Sequence, residues 1–241
     1  MSSSESKTPR REFLGQIAAS AMVLAAGSAC GPAAGAQAGT TAPTPARGGE
    51  SPEQWDDSWF GRLTAKHKAV FDSPQIEDGL VLANASGYIR GMRDAVGAGE
   101  NDVQAVIVVR HAAIPMAFND AMWRKYEIGK NKKIKGSGGE EWETRNPYLG
   151  GATAGGRGGA ASPDRPQATL TWLGSHGHIL LGCDLATRNY AGVLARGLKL
   201  ERQAVYEDLK ANLVPGLILQ PTGVYAALRA QEAGCAYIRS T

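Results

Sequence analysis

The chain has 241 residues and a formal charge of +3, from 26 lysines and arginines against 23 aspartates and glutamates. Hydrophobic residues make up 43%, enough to bury a core at this length. A mean hydropathy of −0.25 and no apolar run of about 18 residues exclude a multi-span membrane protein. Near-balanced charge argues against a dedicated nucleic-acid binder, and three cysteines are too few for a disulfide scaffold.

The N-terminus reads Arg10-Arg11-Glu12-Phe13-Leu14-Gly15, followed by an Ala-rich, uncharged stretch to Ala29. Paired arginines ahead of a short, weakly apolar segment form the pattern of a twin-arginine export signal. An amphipathic soluble helix fits badly, because residues 13–29 have no polar face. Two cleavage points are open. Ala36-Gln37-Ala38 offers small-x-small cleavage at 38/39. Gly27-Ser28-Ala29-Cys30 resembles a lipoprotein box cut at 29/30, with Gly27 where leucine is usual. Attachment to a membrane is expected only if Cys30 is acylated. Residues 1–38 therefore read as the signal, and 39–51, rich in Ala, Gly, Thr and Pro, as a flexible lead-in. The expected location is the periplasm or cell envelope.

Residues 52–241 alternate strand and helix signals. Trp55, Trp59, Phe60 and Leu63 predict a short amphipathic helix over 52–65. Lys68–Asp72 reads as a strand closed by Ser73-Pro74, and 76–96 as a helix. Val103–Val109 is the clearest strand. Its continuously apolar, β-branched run Ala105–Val109 fits burial on both faces of a parallel sheet, and it ends at Arg110-His111. A short helix follows over about 119–128.

Residues 129–168 break the pattern with Lys-rich and Gly-rich runs. They predict an irregular insertion serving as a lid, an oligomer contact or a mobile loop. Its aromatic island, Trp142 to Tyr148, would close over the strand ends, dock on a neighbouring subunit, or be chance aromatics in a disordered loop. The glycine run 150–159 lacks the Gly-Lys-Ser/Thr, the strand and the helix of a phosphate loop. Alternation then resumes. A helix end is expected at 170–175, strands at 178–183, 217–220 and 235–238, and helices at 184–197 and 223–233. The sum is an α/β fold: a doubly wound, mostly parallel five-stranded sheet with helices on both faces, in one domain.

In open α/β sheets, ligands bind beyond the carboxyl ends of the strands. Two such ends are chemically rich here, Arg110-His111 and Cys183-Asp184. Cys183 stands where a helix begins, and free N–H groups there favour a thiolate. Arg110 and His111 would favour it further as electrostatic support or proton shuttle, while Asp184 opposes it. The plainer reading of Cys183 is a small buried hydrophobe. Cys235 reads as core. His176 and His178 make a His-x-His pair without a third ligand at compelling spacing, so an exposed turn is expected and no metal or other cofactor.

Ile179-Leu180-Leu181-Gly182-Cys183, Leu213-Val214-Pro215-Gly216, Pro221-Thr222-Gly223-Val224 and Gly234-Cys235-Ala236-Tyr237-Ile238 resemble the DsrE/DsrF-like family of sulfur-relay proteins. The likeness runs from about Lys66 to Ile238, with the glycine-rich segment as an interruption. It implies a compact α/β fold, assembly into trimers or hexamers, and a persulfide-carrying cysteine at Cys183 that exchanges sulfur with a donor or acceptor protein. Cys235 replaces the family's tyrosine, and the export signal departs from the family's cytoplasmic setting. The leading expectation is an exported sulfur carrier acting through Cys183, Arg110 and His111. The alternatives are a non-catalytic oligomeric module of the same fold, or a small-anion binder using Arg110 and His111.

Overall fold

The computed structural model describes residues 55–136, 139, 141–150 and 169–241. The expected export signal and lead-in and the glycine run from Gly151 onward lie outside the described residues. No described helix is long and apolar enough to cross a membrane.

The described residues form five strands: β1 (His67–Ser73), β2 (Val103–Val109), β3 (Ile179–Cys183), β4 (Leu217–Gln220) and β5 (Ala236–Arg239). They pair in the order β4-β3-β2-β1-β5, every pair parallel. The helices are α1 (Leu80–Val96), α2 (Asp120–Lys125), α3 (Ile128–Lys132), α4 (Leu170–Ser175), α5 (Asp184–Leu198), α6 (Arg202–Ala211) and α7 (Gly223–Glu232). From β1 to β4 the chain steps across the sheet in one direction. It then returns through α7 to add β5 beside β1. Parallel crossovers are right-handed, so a step in the reverse direction must put its helix on the opposite face. The sheet is therefore doubly wound.

Burial follows from that winding. Ala105, Ile107 and Val109 of β2 join the core shared with α1, α5 and α6. Val106 and Val108 join the second core, under Ala226 and Ala230 of α7. All seven residues of β2 are buried, and from Ala105 to Val109 its sequence is apolar without alternation. Burying each Val or Ile contributes about 1.5–3 kcal/mol. At the edge, β5 leaves Ala236, Tyr237 and Arg239 exposed.

Four expectations need correction. The helix over 52–65 is only a 3-10 turn, Ser58–Arg62, seated by fully buried Trp59 in the second core. The helix over 119–128 is two helices: Asn119 caps α2 through Met122 N–H, and left-handed Glu127 separates it from α3. Helix α6 was not expected, although its signals are in the sequence. Glu201 accepts from the N–H groups of Gln203 and Ala204, and Val205 and Leu209 sit one turn apart on the buried face. Finally, much of 129–150 is built onto the body. Lys135 bridges Trp142, and buried Asn146 donates from Nδ2 to the carbonyls of Met116 and Phe118. Tyr148 packs edge-on against Trp123, 6.4 Å between ring centroids.

Candidate functional site

The carboxyl ends of all five strands share one edge of the sheet. Pairing of Val109 with Gly182 makes Arg110 and Cys183 the next residues on adjacent strand ends. Their side chains nevertheless part. Arg110 reaches to β1 and donates from Nε and a terminal nitrogen to the two oxygens of Asp72, at 2.6 and 2.7 Å. Tyr237 of β5 donates its hydroxyl to Asp72 Oδ2 at 2.6 Å. The Asp72 carboxylate is 2% exposed and the Arg110 side chain 25%. Hydrogen bonding to Asp72 raises the pKa of both Arg110 and Tyr237. The sheet thus gathers an Asp–Arg–Tyr cluster from three neighbouring strands, and the guanidinium serves Asp72 rather than the thiol.

That cluster depends on a glycine. The N-terminus of α7 lies on Arg110 so closely that a Cβ on Gly223 would stand 2.4 Å from Arg110 Cβ. Only a residue without a side chain lets the helix and the ion pair occupy this space.

Cys183 is the N-cap of α5. Its Sγ accepts from Ala186 N–H at 3.3 Å, while Thr187 Oγ1 donates to its carbonyl at 3.0 Å. The residue is 6% exposed and belongs to the core beneath α5. Asp184 is turned away from the sulfur: Tyr206 Oη donates to Oδ1 at 2.7 Å and Arg188 Nε to Oδ2. The opposing charge expected at the thiol is thereby neutralised by Arg188 and shared with α6.

His111 opens a 3-10 turn, His111–Ala117, exposed and at a left-handed φ of 50°. Cys183 and Cys235 are both free and buried. Strands β2 and β1 lie between theirs, so disulfide range is out of reach. Burial pushes the Cys235 thiol up to about 11.

The His-x-His pair is split. His176 is exposed and stacked on Trp172 at 4.2 Å, whereas His178 is buried. Ala105 N–H donates to His178 Nδ1 at 3.2 Å, which places the ring proton of the neutral form on Nε2. The exposed turn expected here therefore holds for His176 alone. Burial lowers the pKa of His178 to about 4, with His176 adding to the effect. Among the described residues no group of His, Cys, Asp and Glu is arranged to hold a metal ion.

No protein-family model, curated protein or solved structure matches the chain.

The site therefore rests on its own geometry. It contains two separate chemistries on one sheet edge: a capped, nearly buried thiol on β3, and a saturated ion pair on β1 and β2. Sequence reading missed Asp72 and Tyr237. Asp72 ends a strand beside Ser73-Pro74, a hint of an edge position, but nothing local to either residue names Arg110 as partner.

Proposed function

We propose that the chain is an exported, DsrE-like sulfur carrier in which Cys183 bears the transferred sulfur. One observation carries the reading. The thiol sits at the carboxyl end of a parallel strand and caps the start of α5, where its sulfur receives the Ala186 N–H. In the transfer, the Cys183 thiolate attacks the outer sulfur of a donor persulfide. The donor S–S bond breaks, its electron pair leaves with the donor thiolate, and Cys183 gains the sulfur as a persulfide. The terminal Gly234-to-Ile238 motif and the Leu213-to-Gly216 turn support the family likeness. The paired arginines support passage to the periplasm, and the likeness also supports assembly into trimers or hexamers.

A second reading, a non-catalytic oligomeric module of the same fold, is favoured by the 6% exposure of Cys183 and by the commitment of Arg110 to Asp72. Alkylation of the folded protein near neutral pH separates the two. A carrier labels at Cys183 and not at Cys235, whose thiol is held protonated by burial. Polysulfide then adds one sulfur atom by intact mass, and Cys183→Ser removes that gain. Labelling of Cys183 only after denaturation leaves the non-catalytic module.

A further inference from the structure

Along the same sheet edge, an open cleft of about 610 Å³ lies between the loops after β1 and β2 and the segment closing α3. Cys183 and Arg110 do not line it. It opens at the carboxyl ends of the sheet's inner strands, the position at which open α/β sheets take ligands.

One wall carries Lys132, Lys133 and Lys135. The Lys132 side chain is half-buried, with its ammonium 4.8 Å above the Tyr190 ring. Neither Lys132 nor Lys133 forms an ion pair among the described residues. A half-buried ammonium without a counter-charge is unfavourable, and an anion in the cleft would offset that cost. Burial lowers the Lys132 pKa.

Glu77 and Asp78 also line the cleft. Both hold left-handed backbone, φ 41° and 51°, and Gly79 follows at 81°. The Tyr148 ring fills the place a Gly79 side chain would take, 2.9 Å from the position of its Cβ. Strained backbone at two acidic residues persists only where the surroundings fix it, and such fixing is common at ligand sites. Both residues are exposed, and carboxylates suit hydroxyl donors.

We infer that this cleft binds a small hydroxylated organic anion, its phosphate or carboxylate head on Lys132, Lys133 and Lys135 and its hydroxyl groups toward Glu77 and Asp78. The inference does not depend on sulfur chemistry at Cys183. Calorimetric titration of the full chain with glucose 6-phosphate and with citrate distinguishes the two kinds of head. Saturable binding of one of them is expected, weakened about tenfold by Lys132→Gln, as for loss of one charge-assisted hydrogen bond. The exposed Lys133→Gln should weaken it in the same direction without risk to the fold. Cys183→Ser should leave it unchanged. Absence of binding by both probes, or binding equally strong in both lysine variants, overturns the inference. Equal binding of inorganic phosphate would also overturn it, since the acidic residues would then select nothing.

Discussion

Asp72 holds three partners at once. Arg110 grips both carboxylate oxygens, Tyr237 adds a hydroxyl, and Ser240 N–H donates to its main-chain carbonyl at 2.8 Å. At 2% exposure the carboxylate cannot fall back on water. Arg110→Met should therefore cost about 3–5 kcal/mol in chemical denaturation, because a buried charge loses its pair. Adding Asp72→Asn should recover part of that loss, since the double variant buries no net charge. His178 is the second residue with a sharp expectation. Its folded pKa, about 4, lies below the ordinary value of 6.5, so the unfolded chain binds a proton that the folded chain refuses. Stability is intact above pH 6.5 and falls as pH drops from there toward about 4, by on the order of 3 kcal/mol. His178→Asn keeps an acceptor for Ala105 N–H and should flatten this part of the stability profile measured by denaturant titration.

At the level of elements, the beginning of α5 and the beginning of α7 decide what the sheet edge offers. Cys183 caps α5 through its sulfur, a weak acceptor. Serine is a stronger cap, so Cys183→Ser should keep stability within about 0.5 kcal/mol, whereas Cys183→Ala should lose about 1 kcal/mol. Equal stabilities of the two variants by thermal melting would mean that the Ala186 contact contributes nothing. The serine variant is for this reason the cleaner probe of sulfur loading. At α7, Gly223→Ala forces a methyl onto Arg110. The helix must shift or the ion pair must open, at about 1–3 kcal/mol as for other overpacked sites. A melting midpoint unchanged from the native protein would show that α7 has room to move.

The whole molecule is ordered by the reversal at α7. One face of the sheet packs α1, α5 and α6, and the other packs α7 and Trp59. All strand ends with polar side chains then emerge on a single edge, where the thiol, the ion pair and the lysine-lined cleft lie side by side. The proposed export route carries chains already folded, which suits a fold whose last strand, β5, must insert beside its first. Replacing Arg10-Arg11 by Lys-Lys should hold the protein in the cytoplasm, checked by fractionation. Unchanged export would reassign the first 38 residues to another pathway.

Patterns with a fixed period were legible from the amino acids alone. The run Val103–Val109 announced a strand covered on both sides, and strands β3 and β4 and helices α1, α5 and α7 lay close to their expected places, because burial periodicity is a local property. Lengths of regular structure were less legible where one tertiary contact prevails. Trp59 buries its ring at the expense of a helix, and Asn146 ties down a segment whose composition looked irregular. Pairing of side chains was not legible at all. Arg110 is as near in sequence to His111 as a residue can be and, by strand order, as near to Cys183 as to β1. Its choice of Asp72 follows from a carboxylate withdrawn from water, with the α7 N-terminus packed against the Arg110 stem. The sequence by itself determined the alternation of strands and helices and the handedness that winds them twice. The tertiary structure decided which charges meet, since that depends on distance and desolvation across strands far apart in the chain.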